Sequence, residues 1–242
     1  MNTSNNYHIR RGNYLMKVTV IGATGATGRK VIERALDLGH EVVAVARRPE
    51  VIAPTARLSV RQGDVLDVPS IAKALADTDV VISCIGPTGN FSQGTVISEG
   101  ISNIRKNFSP GTIMSVGITN ILAACQSAGV KRFVMQSGIG LSDGKELSAL
   151  NRLAINISGR IFTKAVEDKA IAERAVQRSE LDWIIVRPPA LSDVAATSKY
   201  TAGPSTRISP LRPLSFADCA DCLVRAATNE PTWVRKIVNV GR

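Results

Sequence analysis

Aromatic side chains are scarce in this chain, at 4% of 242 residues, and histidine occurs only twice, at His8 and His40. A surface for single-stranded nucleic acid needs aromatics for base stacking, and a basic tail needs blocks of charge. Neither is present. The 30 Lys and Arg side chains are scattered with no run longer than two, so nucleic acid is not an expected partner despite a net charge of +10. The surplus suits attraction of small anionic molecules instead. Cysteine is also sparse: Cys84, Cys125, Cys219 and Cys222 are too few and too dispersed for a secreted disulfide framework. Cys219 and Cys222 form a C-x-x-C without further ligands for zinc, so no metal is expected. The pair reads as two small apolar side chains on a helix or as a redox dithiol. No apolar stretch approaches the ~20 residues of a membrane span, so no membrane partner is expected. The first 15 residues lack the apolar segment of a secretory signal. These absences lead us to expect a cytoplasmic protein with a flexible extension over 1–15, and either Met1 or Met16 can serve as the natural start.

What the chain does have is Gly22-Ala23-Thr24-Gly25-Ala26-Thr27-Gly28, between the apolar run Lys17–Ile21 and an amphipathic stretch from Val31. The run is rich in β-branched residues and reads as a buried strand. The apolar positions 31, 32, 35, 36 and 38 define one helix face, which Gly39 can terminate. A strand turning on glycines into a helix aims free N–H groups and the positive helix end at a phosphate. Gly22 permits the tight turn, Gly25 the approach of backbone to a pyrophosphate, and Gly28 close packing of helix on strand. The alternative is a merely structural turn.

A second strand, Glu41–Ala46, closes the start of a βαβ unit. Where a site for NAD carries an acidic residue for the ribose 2′-hydroxyl, this chain has Arg47-Arg48-Pro49. Two guanidinium groups suit a 2′-phosphate, so the expected cofactor is NADP(H), with Arg29 as a third cation. A solvated arginine turn is the alternative.

The remaining pattern alternates strands near 58–61, 80–85, 132–136, 183–186 and 237–240 with helices near 69–75, 112–128, 163–178 and 218–228. This predicts an α/β fold, a Rossmann-type doubly wound parallel sheet, as a single domain over 16–242. Stretches near 87–111, 139–160 and 192–214 read as long loops at the carboxyl edge of the sheet, building a substrate-side lobe.

Four motifs stand out: Gly22-x-x-Gly25-x-x-Gly28, Gly63-Asp64-Val65, Ser137-Gly138, and the stretch Leu181–Pro188 behind a helix bearing Lys169 and Glu173. Together they resemble the atypical short-chain dehydrogenase/reductase superfamily, closest to its NAD(P)H-binding group of biliverdin-IXβ/flavin reductases and NmrA-like proteins. The resemblance implies that Thr24, Ala26 and Thr27 join the glycines at the cofactor, and that Asp64 and Val65 flank the adenine. It places Cys84, Ile85 and Gly86 along the adenosine ribose, Lys169 on the nicotinamide ribose, and the segment after Pro188 at the carboxamide. Ser137 takes the position of the superfamily's catalytic serine.

One departure is telling. The superfamily uses Tyr-x-x-x-Lys, in which a phenol donates a proton, but Ala165 stands four residues before Lys169. Tyr7, Tyr14 and Tyr200 are the only tyrosines, and none precedes a lysine at that spacing. Tyr200, in the third loop, reads as a packing residue or as a substitute donor. Ser137 reads as an acceptor-orienting hydroxyl or a strand-end cap, and Lys169 as a ribose ligand or a surface lysine. The expected activity is NADPH-dependent reduction of a flat conjugated small-molecule acceptor (flavin, quinone or tetrapyrrole-like) by direct hydride transfer. The alternative is a non-catalytic NADP(H) redox sensor of NmrA-like type. A monomer or weak homodimer is expected.

Overall fold

The computed structural model describes residues 9–10, 13–86, 113–141 and 163–242. Of the N-terminal segment it describes β1 (Ile9–Arg10) and β2 (Asn13–Tyr14), paired antiparallel, an element not expected from the sequence.

Eight strands form the central sheet: β3 (Lys17–Ile21), β4 (Glu41–Ala46), β5 (Leu58–Gln62), β6 (Val80–Ser83), β7 (Arg132–Gln136), β8 (Asp182–Arg187), β10 (Thr201–Gly203) and β12 (Lys236–Gly241). Their order is β10-β12-β8-β7-β6-β3-β4-β5. Every pairing is parallel except that of β10 with β12. The chain runs from β3 outward to β5 and then returns to β6 on the other flank of β3. The switch point therefore lies between β3 and β6, where such sheets open a crevice for ligands.

Both faces are covered. Alternate strand residues Val18, Val20, Ile82, Val134 and Val186 pack on one side with Val31 and Ala35 of α1 (Ala26–Asp37) and Leu223 and Ala227 of α5 (Phe216–Thr228). Their neighbours Ile21, Val43, Val81, Phe133, Met135 and Ile185 pack on the other. There they meet α2 (Val68–Ala74), α3 (Ile113–Ala128) and α4 (Thr163–Arg178) through Ile71, Ile118, Ile121, Ala172 and Val176. Near-continuous apolar runs are what a sheet buried on both faces requires.

Two expectations change. The stretch 192–214 is no featureless loop. It contains the edge strand β10, and its two ends pair as β9 (Leu191–Ser192) with β11 (Leu214–Ser215), in parallel. Short polar segments of this kind have no periodicity to reveal them; they form because a neighbouring strand is available. The last long helix begins at Phe216 rather than Asp218, because the Ser215 hydroxyl caps it by accepting from the Asp218 N–H at 2.9 Å. Residues 87–112 and most of 139–160 lie outside the described residues.

Candidate functional site

The β3–α1 turn is shaped by close backbone approach. Gly22 has φ +82°, and a Cβ there would lie 2.8 Å from the carbonyl of Cys84, just beyond β6. A Cβ on Gly28 would lie 2.2 Å from the Gly22 oxygen, so only glycine lets the helix start against the turn. The Gly25 N–H donates to the Gly22 oxygen at 3.0 Å. Gly25 is the N-cap of α1, with no side-chain cap and no acidic residue in the first turn. Thr24, Gly25 and Ala26 are exposed at the tip, while Thr27 and Gly28 are buried beneath it. The positive helix end is thus presented outward with no side chain competing for it. Arg29 folds over the turn, its Nε donating to the Thr24 oxygen at 3.1 Å.

Arg47 and Arg48 follow β4 with both side chains exposed. Asp64 and Val65 follow β5 and are pinned from two sides. Asp64 donates its N–H to the Ser70 hydroxyl at 3.1 Å, and the Val65 oxygen accepts from Asn120 of α3 at 2.9 Å. A Cβ on Gly117 would stand 3.0 Å from Val65, so the first turns of α3 press against this corner. Cys84 continues the sheet by donating its N–H to the Ile21 oxygen at 2.8 Å, and burial pushes its thiol up to about 12. Ile85 is half-buried and Gly86 exposed.

The other end of the edge holds an open cavity of about 250 Å³ beyond β7 and β8, walled by Gln136–Gly140, Pro188–Leu191 and Lys169. Ser137, Lys169 and Pro188, taken from three separate parts of the sequence, meet here. The Ser137 N–H extends the ladder to the Val186 oxygen at 2.8 Å, yet its buried hydroxyl has no hydrogen-bond partner among the described residues. Burial lowers the Lys169 pKa from the usual lysine range, opposed by the charge of Glu173.

Further side chains support this end of the site. Glu173, one turn along α4 from Lys169, is buried and held by Arg187 through Nε at 3.1 Å and Nη2 at 2.5 Å. This fork ties α4 to the end of β8. Asp168, beside Lys169, accepts the N–H groups of Met114 and Ser115 at 3.0 and 3.1 Å and so caps α3 from α4. Gln136 is the third. Its buried Oε1 likewise has no partner among the described residues.

Tyr200 is not at this cavity. Its hydroxyl donates to Asp221 and accepts from Arg225 at 3.3 Å, both on α5, and burial raises its pKa. Asp221 also accepts from Arg34 of α1 at 2.6 Å, so the phenol belongs to the packing of α1 on α5. His40 is buried before β4, where its Nδ1 accepts the Met16 N–H at 3.3 Å. Cys219 and Cys222 are fully buried in α5, and burial raises both thiols, that of Cys222 to about 12. Such thiols are inert rather than reactive. Among the described residues no helix is long and apolar enough to cross a membrane.

A family model described as NAD(P)H-binding matches residues 22–230. An uncharacterized chloroplastic protein of Arabidopsis thaliana is 29% identical over 189 residues, 78% of this chain but only 64% of that protein's length. In fold the chain is similar to an anaerobillin reductase from Escherichia coli O157:H7, with TM-score 0.70, 24% identity, and 93% and 96% of the two chains covered. A short-chain dehydrogenase/reductase of Veillonella parvula in complex with NADP gives TM-score 0.70 at 17% identity, covering 94% of each chain. With the glycine turn at the switch point and the matched model spanning most of its length, the chain belongs to the NAD(P)H-binding family.

Proposed function

We propose that the protein is an NADPH-dependent reductase that passes hydride directly to a flat conjugated acceptor. The observation that carries this reading is the cavity beyond β7 and β8. It is walled by Ser137, Lys169 and Pro188 and lies at the same sheet edge as the glycine turn. The turn fits a dinucleotide: backbone passes where a Cβ would clash, and the helix end is uncapped by any side chain. Thr24–Gly28 would hold the pyrophosphate, Arg47 and Arg48 the 2′-phosphate, and Asp64, Val65 and Cys84–Gly86 the adenosine. Lys169 would hold the nicotinamide ribose and the segment from Pro188 the carboxamide.

When bound, the nicotinamide supplies a hydride. The chain's own part is positional. Among the described residues Lys169 is the only titratable side chain lining the cavity, and burial lowers its pKa from the usual lysine range. Ser137 offers a hydroxyl to orient the acceptor, and its high pKa makes it a poor proton donor. Acceptors that stabilise the added electron pair take their proton from water afterwards, so orientation suffices. Proximity of this kind can contribute up to ~7–11 kcal/mol.

The test is NADPH oxidation by the purified protein across a panel of flavins, quinones and bilins, expected to show turnover with at least one class. Tight NADP(H) binding without turnover, with unequal affinities for the two redox forms, would make the protein a redox sensor instead.

A further inference from the structure

Resting on the reductase reading above, we propose that Gln136 reads the polar edge of the acceptor. The cavity then takes conjugated rings bearing a lactam or imide group, a ring N–H beside a carbonyl, in preference to quinones.

Two adjacent residues at the end of β7 line the cavity, and each buries a polar atom without a partner among the described residues: Gln136 through Oε1 and Ser137 through Oγ. Ser137 is only 7% exposed. Buried polar groups in folded proteins are nearly always paired, so two orphans in one cavity wall point to a ligand. Their chemistry differs. A hydroxyl donates or accepts as required, but a side-chain amide oxygen can only accept. Oε1 therefore needs a donor from whatever enters. A primary amide also carries its own donor, Nε2, on the same carbon, so it pairs in two bonds with a ring –CO–NH– edge. A quinone presents carbonyl oxygens only and would leave Oε1 unsatisfied.

The direction of approach separates Gln136 from the ribose contact. Val134 belongs to the core under α1 and α5, and Met135 to the core under α2, α3 and α4. Strand alternation places Gln136 on the side of Val134, and Ser137 on the side of Lys169 and α4. The amide thus meets a ligand from the flank opposite Lys169. The carboxamide of the cofactor is the rival occupant, and the test distinguishes the two.

Affinities of lumiflavin and 3-methyllumiflavin are measured by flavin fluorescence on the protein saturated with NADP+. The two rings differ only in that a methyl group replaces the imide hydrogen. Wild type is expected to bind lumiflavin roughly 3- to 10-fold more tightly, the worth of one neutral hydrogen bond. Gln136→Met, which keeps length and volume but removes the amide, is expected to erase that preference and leave NADP+ affinity unchanged. Should this variant not fold, Gln136→Leu serves the same purpose. Equal binding of the two flavins by wild type, no binding of lumiflavin, or a preference that survives in the variant each overturns the assignment. So does weakened NADP+ binding in the variant, which would give the amide to the carboxamide. A Gln136-dependent preference without NADPH oxidation by any acceptor would overturn the reductase reading alone.

Discussion

The two ends of the sheet edge are built on opposite principles. At the β3–α1 turn the site is made by what side chains leave out: a Cβ on Gly22 or Gly28 would run into backbone at 2.8 or 2.2 Å. Over β7 and β8 it is made by side chains that have too few partners, with Gln136 Oε1 and Ser137 Oγ buried and unpaired among the described residues. A backbone cradle is rigid and indifferent to what lies beyond the phosphates. A wall of orphaned polar atoms selects, because each atom gains a partner only from a ligand of the right shape. The first end therefore suits a ligand shared by many proteins, and the second a ligand particular to this one.

Breaking the support of the second end should have the largest effect. Removing one partner of a buried ion pair leaves the other uncompensated, so Glu173→Ala is expected to destabilise the protein by ~3–5 kcal/mol, measured by chemical denaturation. NADPH affinity should fall as well, because Lys169 shares the helix face that Arg187 anchors through Glu173. A destabilisation below ~1 kcal/mol would mean that α4 is held by its apolar packing alone. Next comes the cofactor's own selectivity. Arg47→Ala and Arg48→Ala together should narrow the preference for NADP(H) over NAD(H) by ~1.5–3 kcal/mol for each charge-assisted hydrogen bond removed, read from the two dissociation constants. Equal affinities in wild type would show that these exposed arginines serve only the surface.

The same contrast explains what could be read from the sequence. The glycine turn, the strand before it and the helix after it are contiguous, so spacing alone locates them. The parallel strands announce themselves as apolar runs because both faces are buried. Asp168 capping α3, Asn120 holding the Val65 oxygen and Arg187 gripping Glu173 all join residues distant in the chain. Asp168 and Asn120 are ordinary residue types in those positions, so no local pattern marks them, whereas Arg187 and Glu173 stand out through the family resemblance. β10 has no sequence signal because a three-residue edge strand draws its order from β12 rather than from its own composition.

Smaller effects probe the chemistry of the cavity. Ser137→Ala is expected to lower turnover about tenfold with little change in NADPH affinity, whereas removal of a general acid would cost ~10²–10⁴. Lys169 supplies the pH dependence. Its pKa is lowered by burial, so raising the pH toward that value neutralises the ammonium and would weaken the ribose contact proposed for it. NADPH affinity should fall as pH rises, and Lys169→Met should bind more weakly at all pH and show no such slope. A slope that persists in the variant would place the titrating group elsewhere.

The smallest effect on chemistry is expected at Tyr200, the residue that most resembles a replacement for the absent phenol. Its hydroxyl already donates to Asp221, which Arg34 also holds, and Arg225 donates to it from the next turn of α5. A proton donor must be free to reach its substrate, and this one is engaged in joining β10 to the helices. Burial and the neighbouring carboxylate also raise its pKa, the opposite of what the superfamily's Tyr-x-x-x-Lys arrangement achieves. Tyr200→Phe should therefore leave turnover with the preferred acceptor unchanged and lower stability by ~0.5–1.5 kcal/mol, the worth of a hydrogen bond to a partner that remains paired. Turnover and denaturation measured on the same preparation settle it. Unchanged stability with abolished turnover would return the phenol to the chemistry, and the selective end of the site would then extend from the cavity at β7 and β8 to the edge strand.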